Sequence, residues 1–288
     1  MINNARSLLD KSKNFANKNN VTVQQAVQYF MFERFLDRLA HSVYREKFVL
    51  KGGFLLSAIM GISVRSTMDM DANIYGMNFE ESEITKMVSD IIQIDLNDNT
   101  SFEFNKSEII REDNEYGGFK IKLTGKFFNL KVPIHIDMST GDVITPMAIE
   151  YSYKTILDDE QINIYTYNYE TIIAEKFQTI LVRNNSNSRM KDLYDLYYFI
   201  TYKINDIDKE ILHEAIIKTF KNRKSEHLLS EIDSILNAIK NDSTQNKLWI
   251  DYSEKFEYAK DIKLDEVIDK IQKIKEYILI KRSLRKNN

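Results

Sequence analysis

Eight glycines and two prolines in 288 residues leave the chain short of turn-makers, where average usage would place roughly 35. Tight hairpins and sandwich corners depend on such residues. A mostly helical fold with a modest sheet is therefore expected, and collagen-like or flexible-linker character is excluded. With 43% of residues hydrophobic, the chain can bury one or two ordinary cores.

Charge and residue types narrow the function. The 40 Lys+Arg and 43 Asp+Glu residues leave a net charge of -3, which argues against holding nucleic acid by bulk positive field and leaves room for a local basic patch. The absence of cysteine removes disulfides, thiolate metal sites and cysteine nucleophiles. His41, His135, His213 and His227 are scattered without helical ligand spacing, against a histidine-built zinc site. No apolar run reaches the ~18 residues of a membrane span. The polar start, Met1 to Asn20, has no signal-peptide core. A cytoplasmic protein without membrane contact is the expectation.

Periodicity predicts helices over 5–18, 22–44, 54–60 (stopped by Gly61) and 80–94. Strands are expected over 47–50, 68–75, 102–111, 119–128, 130–138, 150–155 and 162–167, with 102–128 forming a hairpin around Glu115 and Gly117-Gly118. Pro133 cannot donate to a ladder, so one side of its strand should be unpaired near its start. From 169 the pattern turns helical, in segments near 169–183, 189–204, 208–222, 226–240, 244–258 and 264–282. The fold class is thus α+β: a mixed sheet flanked by helices over residues 1–168, then an all-helical domain over 169–288. The basic end (Lys281, Arg282, Arg285, Lys286) reads as a solvated tail that could touch phosphates.

Within the strand 68–75, Asp69 and Asp71 stand two apart and project from one face. Two carboxylates that close repel unless one is protonated or a cation lies between them. A hard divalent ion with oxygen ligands removes the conflict. Asp137 ends another alternating strand on its non-core face. If the two strands are neighbours, three carboxylates converge as two-metal phosphoryl transfer requires. Taken alone, D-x-D is equally the pattern of an exposed strand face. Upstream, Lys51-Gly52-Gly53 marks a strand-to-helix turn whose backbone N–H groups can cradle an anion. Arg65, Ser66 and Thr67 bring a cation and hydroxyls to the same place.

The stretch Lys51-Gly52-Gly53 … Arg65-Ser66-Thr67-Met68-Asp69-Met70-Asp71 resembles motif I of the nucleotidyltransferase superfamily related to DNA polymerase beta. Its R-x-T-x-D-x-D version is similar to the AbiEii/AbiGii family of toxin nucleotidyltransferases. The second block, Ala174-Glu175-Lys176 … Arg183 … Arg189-Met190-Lys191-Asp192-Leu193-Tyr194-Asp195-Leu196, resembles that family's A-x-K … R … R-x-K-D-x-x-D-L motif. One departure is Gly53, where many members carry Ser; backbone N–H groups or Ser57 would have to supply the missing phosphate contact.

The residues of the second block also have a plain structural reading. Lys176 sits within the apolar stripe of Ile173, Phe177 and Ile180. A lysine there is costly unless its ammonium finds a partner or a water-filled cleft. An ion pair with Asp192 on the next helix would satisfy it. Lys191 and Asp195, four apart, can pair with each other. Tyr194, Tyr197 and Tyr198 could stack on a base or simply pack.

The resemblance implies a catalytic set of Asp69, Asp71, Asp137, Lys176 and Asp192. Asp69, Asp71 and Asp137 would hold Mg²⁺, with Mn²⁺ as the alternative ion, and the helical domain would bring Lys176 and Asp192 to the cleft. Lys51, Gly52, Gly53, Arg65, Thr67 and Arg189 would bind nucleotide and phosphates. It implies the toxin half of a type IV toxin–antitoxin or phage abortive-infection system. Nucleotides would pass from an NTP to RNA, with tRNA the expected acceptor, opposed by a separately encoded antitoxin that need not form a stable complex. Two other classes stay open on the residues alone: a metal-dependent nuclease or phosphodiesterase, and a non-enzymatic RNA- or partner-binding module.

Overall fold

The computed structural model describes residues 2–110 and 117–278. Glu115 and the basic end from Lys281 onward lie outside the described residues. The chain divides into two compact units, Met1–Asp142 with Ala148–Tyr167, and Val143–Met147 with Asn168–Asn288.

Among the described residues the first unit holds seven strands: β1 (Phe48–Lys51), β2 (Met70–Ile74), β3 (Thr100–Ile110), β4 (Gly118–Phe127), β5 (Leu130–Ser139), β6 (Ile149–Lys154) and β7 (Gln161–Thr166). They form one mixed sheet in the order β3-β4-β5-β2-β1-β7-β6. The β1–β7 and β2–β5 pairs are parallel, and β1–β2, β3–β4, β4–β5 and β6–β7 are antiparallel. Pro133 sits where its reading requires, because β2 joins β5 only from Ile136 onward.

Four helices accompany the sheet: α1 (Ala5–Asn19), α2 (Val23–Ala40), α3 (Gly52–Met60) and α4 (Glu81–Ile92). Thr22 caps α2 with a reciprocal Thr22–Gln25 capping box, which satisfies otherwise orphaned N–H groups. On one face of the sheet the apolar residues interlock with these helices: Phe35 against Phe48 and Phe102, Phe30 against Phe127, and Phe54 stacked on Tyr153. Leu50, Met70, Ala72, Ile121, Leu123, Ile134 and Ile136 are fully buried on that face.

Three local departures from the expected elements have physical causes. Helix α2 ends at Ala40, not 44, because Ser42 Oγ donates to the Leu39 carbonyl and accepts from the Tyr44 N–H, a local alternative to helix bonding. Strand β2 starts at Met70, not 68, because Thr67 Oγ1 accepts the Asp69 N–H and donates to the Asp69 carbonyl. Asn73, expected on the open face with Asp71, is completely buried, and neither of its side-chain polar atoms has a hydrogen-bond partner.

The second unit is helical: α5 (Tyr169–Arg183), α6 (Met190–Tyr202), α7 (Lys209–Asn222), α8 (Ile232–Asn241), α9 (Ser243–Lys255) and α10 (Leu264–Gln272). The segment expected as one helix over 226–240 splits into a 3-10 turn, Glu226–Ser230, and α8. Asn168 caps α5 by accepting from the Thr171 N–H and donates to the Thr145 carbonyl at 2.6 Å. Helix α5 packs on α6 and α7, and α10 on α6 and α8. Among the described residues no helix is long and apolar enough to cross a membrane.

Candidate active site

Register places four charged residues in one row across the first unit's sheet. Lys120 on β4 pairs with Asp137 on β5, Asp137 with Asp71 on β2, and Asp71 with Lys51 on β1. Residues directly opposite one another on neighbouring strands share a face. The row therefore reads cation, carboxylate, carboxylate, cation. Two residues toward the start of each parallel strand, Asp69 lies beside His135, with Asp69 Oδ1 3.5 Å from His135 Nδ1. The three acids expected from the sequence thus share one surface.

Each carboxylate is held differently. The Asp137 oxygens lie 2.8 and 3.0 Å from Lys120 Nζ, and Asp137 Oδ1 is buried without a geometrically proper hydrogen bond. Burial pushes the Asp137 carboxyl up; Lys120 opposes this, and Asp71 and Asp69 reinforce it. Lys120 is pushed down by burial, but Asp137, Asp69 and Asp71 together raise it above its ordinary value. Asp71 Oδ2 accepts the Gly53 N–H at 3.2 Å. Asp69 is positioned by the Thr67 turn described above.

The glycine turn is shaped around Asp71. Gly52 has φ +65°, and a Cβ there would lie 2.0 Å from Asp71 Oδ2. Only glycine permits both the left-handed backbone and that approach. A Cβ on Gly53 would meet Thr67 Oγ1 at 3.1 Å and Arg65 Nη2 at 3.4 Å, so Arg65 and Thr67 stand over the turn. Arg65 is largely buried and donates to the Ser66 carbonyl. The Gly53 N–H expected to face phosphate binds the Asp71 carboxylate as the side chains stand. Ser57, one of the two candidates for the missing hydroxyl contact, is excluded: it is buried, donates to the Phe54 carbonyl and accepts from Tyr29 Oη. Lys51 turns to Asp142, 2.6 Å away, and stands 5.9 Å over the Tyr167 ring.

All donors in the acidic set are carboxylate oxygens on one face, the kind a hard divalent ion takes. Among the described residues no three acidic, histidine or cysteine side chains are drawn together into a ready cage. By donor type alone the three carboxylates suit a divalent ion, and the Lys120 ammonium stands on Asp137 as its present cation.

In the second unit, the second sequence block forms a buried ionic cluster. Lys176 Nζ lies 2.7 Å from both Asp192 Oδ1 and Asp195 Oδ2, whose side chains are 1% and 0% exposed. Arg189, just before α6, adds its Nε to Asp192 Oδ2 at 2.6 Å. Burial pushes Asp192 up, yet Lys176 and then Arg189 more than offset it and hold the carboxyl at about 2. The ion pair of the plain structural reading is therefore present, and Asp195 is a full member. Glu175, one residue before Lys176, binds Arg223 at 3.0 Å. Tyr194 packs on Tyr197, Tyr252 and Tyr258.

Two residues of these networks escaped the sequence reading. Lys120 belongs to the alternating run Lys120, Lys122, Thr124, Lys126 on β4, whose polar face was the available signal. Asp142 follows Gly141 in a loop, where nothing in the sequence marks it.

The family described as the nucleotidyl transferase AbiEii toxin of a type IV toxin–antitoxin system matches residues 34–270. No curated protein matches the chain in sequence. The solved structures that match include two from Helicobacter pylori. A proposed nucleotidyltransferase from H. pylori is 14% identical, with a TM-score of 0.47, covering 93% of this chain and 99% of that one. JHP933 from Helicobacter pylori is 15% identical, with a TM-score of 0.46, covering 91% of this chain and 97% of that one.

Proposed function

The chain belongs to the AbiEii family of nucleotidyl transferase toxins of type IV toxin–antitoxin systems, and on that premise we propose that it transfers nucleotides from an NTP to RNA, with tRNA as the acceptor. As a nucleotidyltransferase it uses an NTP, and as a toxin of a two-component system it has a cognate antitoxin. The proposal extends to Mg²⁺ or Mn²⁺ as the ion, to a separately encoded antitoxin acting without a stable complex, and to a role in phage defence.

The observation that supports transfer chemistry is the in-register pairing of Asp71 with Asp137, beside the turn at Gly52-Gly53. Asp69, Asp71 and Asp137 would hold the divalent ions, which when bound neutralise charge on the triphosphate and the attacking oxygen. Asp137 is suited to accept the proton of the acceptor hydroxyl, because burial raises its carboxyl toward the range of a working base. Arg65, beside the glycine turn, and Lys176 would offset charge on the phosphates. Asp192, held ionised, pairs with Lys176 Nζ at 2.7 Å and orients it. Pyrophosphate departs as the α-phosphorus joins the acceptor oxygen.

The test is incubation of the purified protein with each labelled NTP and total bacterial RNA. Label incorporated into RNA of unchanged or increased length supports transfer. Shortened RNA without incorporation supports the nuclease reading, and neither effect supports a binding module.

A further inference from the structure

The carboxylate row ends in a lysine that no sequence motif contains. Lys120 is the register partner of Asp137 on β4, and its ammonium lies 2.8 and 3.0 Å from the two carboxylate oxygens. Both oxygens of one proposed metal ligand are thus engaged by a single cation. On the other flank, Lys51 pairs with Asp142. A cation from β4 thus stands on the acidic surface.

We propose that Lys120 is a tethered counter-ion that a divalent metal must displace from Asp137, so that metal loading is an exchange of ammonium for metal. This rests on the reading of Asp69, Asp71 and Asp137 as the metal site. The register-paired carboxylates of Asp71 and Asp137 repel each other, and without a cation one would take a proton or swing away. A lysine from the adjacent strand removes that conflict while no metal is bound. Its four-carbon stem is flexible and its ammonium a compact point charge, so it can leave the carboxylate without moving the sheet. The exchange has a thermodynamic consequence. Every metal ion that binds Asp137 must first break the Lys120 pair and then share the site with a nearby positive charge, so wild-type affinity is lower than the donors alone would give. Lys120 is a positioning residue in this account, acting through Asp137.

The experiment is Mn²⁺ binding without nucleotide, followed by the electron paramagnetic resonance signal of free Mn²⁺, for wild type, Lys120→Met and Lys120→Arg. Lys120→Met should bind Mn²⁺ at least about tenfold more tightly, the order of effect of one charge a few ångströms away at an effective protein dielectric. Lys120→Arg, which keeps the charge, should stay near wild type. Adding Asp137→Asn should abolish the difference between Lys120→Met and wild type. Equal or weaker Mn²⁺ binding by Lys120→Met, with wild type binding, overturns the exchange and leaves the metal site standing. No Mn²⁺ binding by any of the three overturns the metal site and the exchange with it. If Lys120→Met does not fold, Lys120→Gln reads the same quantity. Failure of both neutral variants to fold, beside a folded Lys120→Arg, would make the ammonium purely structural and also overturn the exchange.

Discussion

Asp71 and Asp137 are register partners on two parallel strands, β2 and β5, that lie side by side in the middle of the sheet. Parallel neighbours run about 4.8 Å apart, and their paired side chains point the same way. Two acids distant in sequence are therefore held by backbone hydrogen bonding rather than by any bond between themselves. That arrangement costs electrostatic energy, and Lys120 and the Gly53 N–H each offset part of it.

The closeness of the glycine turn to Asp71 predicts the effect of one added methyl group. Gly52→Ala places a Cβ where Asp71 Oδ2 stands, 2.0 Å away, at φ +65°. Strain of about 1–3 kcal/mol is expected in urea unfolding, and nucleotide transfer should be lost because Asp71 must move. Wild-type stability together with wild-type transfer would contradict the geometry.

Lys176→Met separates stability from catalysis. The ammonium is shared by two carboxylates that are 1% and 0% exposed, so its removal should cost about 3 kcal/mol, with Arg189 still bound to Asp192 limiting the loss. If Lys176 also contacts the triphosphate, transfer per folded molecule should fall at least ~100-fold, the order of one lost charge-stabilising donor. A destabilised variant with normal transfer per folded molecule would make the lysine purely structural.

Acid should unfold the second unit's cluster in a defined window. Asp192 is held at about 2, below its ordinary 3.8, so its contribution is full above about pH 4 and is lost as pH falls through about 2. The amount is on the order of 2 kcal/mol. Asp192→Asn should flatten the stability profile between pH 4 and 2, as read by urea unfolding at each pH. An unchanged slope would show that other groups set the acid limb.

Alkaline pH acts on the first unit through Glu33, which is completely buried on α2. Its Oε1 accepts from Tyr153 Oη at 3.0 Å and from the Ile156 N–H at 2.8 Å, while Oε2 has no partner. Burial raises the carboxyl to about 8 from 4.5, against the pull of those two donors and Arg34. Folding thus favours the protonated form. Its contribution is full below about pH 4.5 and is lost as pH rises through about 8. Wild type should lose stability between pH 5 and 9, and Glu33→Gln should not. A parallel decline in both proteins would contradict this.

The sequence carried the strand faces of the site because a period of two is a local property. Asp69 and Asp71, and separately Asp137, could be put on open faces before any strand order was known, and Pro133 marked the end of β5 where one side lacks a partner. What stayed hidden was set by long-range neighbours. Lys120 matters because β4 happens to flank β5, and Asp142 because a loop returns to Lys51. Asn73 alternates like Asp71 but lies farther along a central strand, where both faces are covered. Ser57 looked available until α2 brought Tyr29 against it. In the second block the apolar stripe around Lys176 foretold a buried cation. The i,i+3 placement of Asp192 and Asp195 was the overlooked sign that it would have two partners.

The most direct measurement compares wild type with Asp71→Asn, following pyrophosphate release and incorporation of labelled NTP into RNA in one reaction with Mg²⁺. A carboxylate lost from a two-metal site removes charge and geometry together. Wild type should release pyrophosphate in step with label incorporation, and Asp71→Asn should do neither while unfolding at an unchanged or slightly shifted urea concentration. Near-normal pyrophosphate release and incorporation by Asp71→Asn, or shortened RNA without incorporation by wild type, would contradict the account.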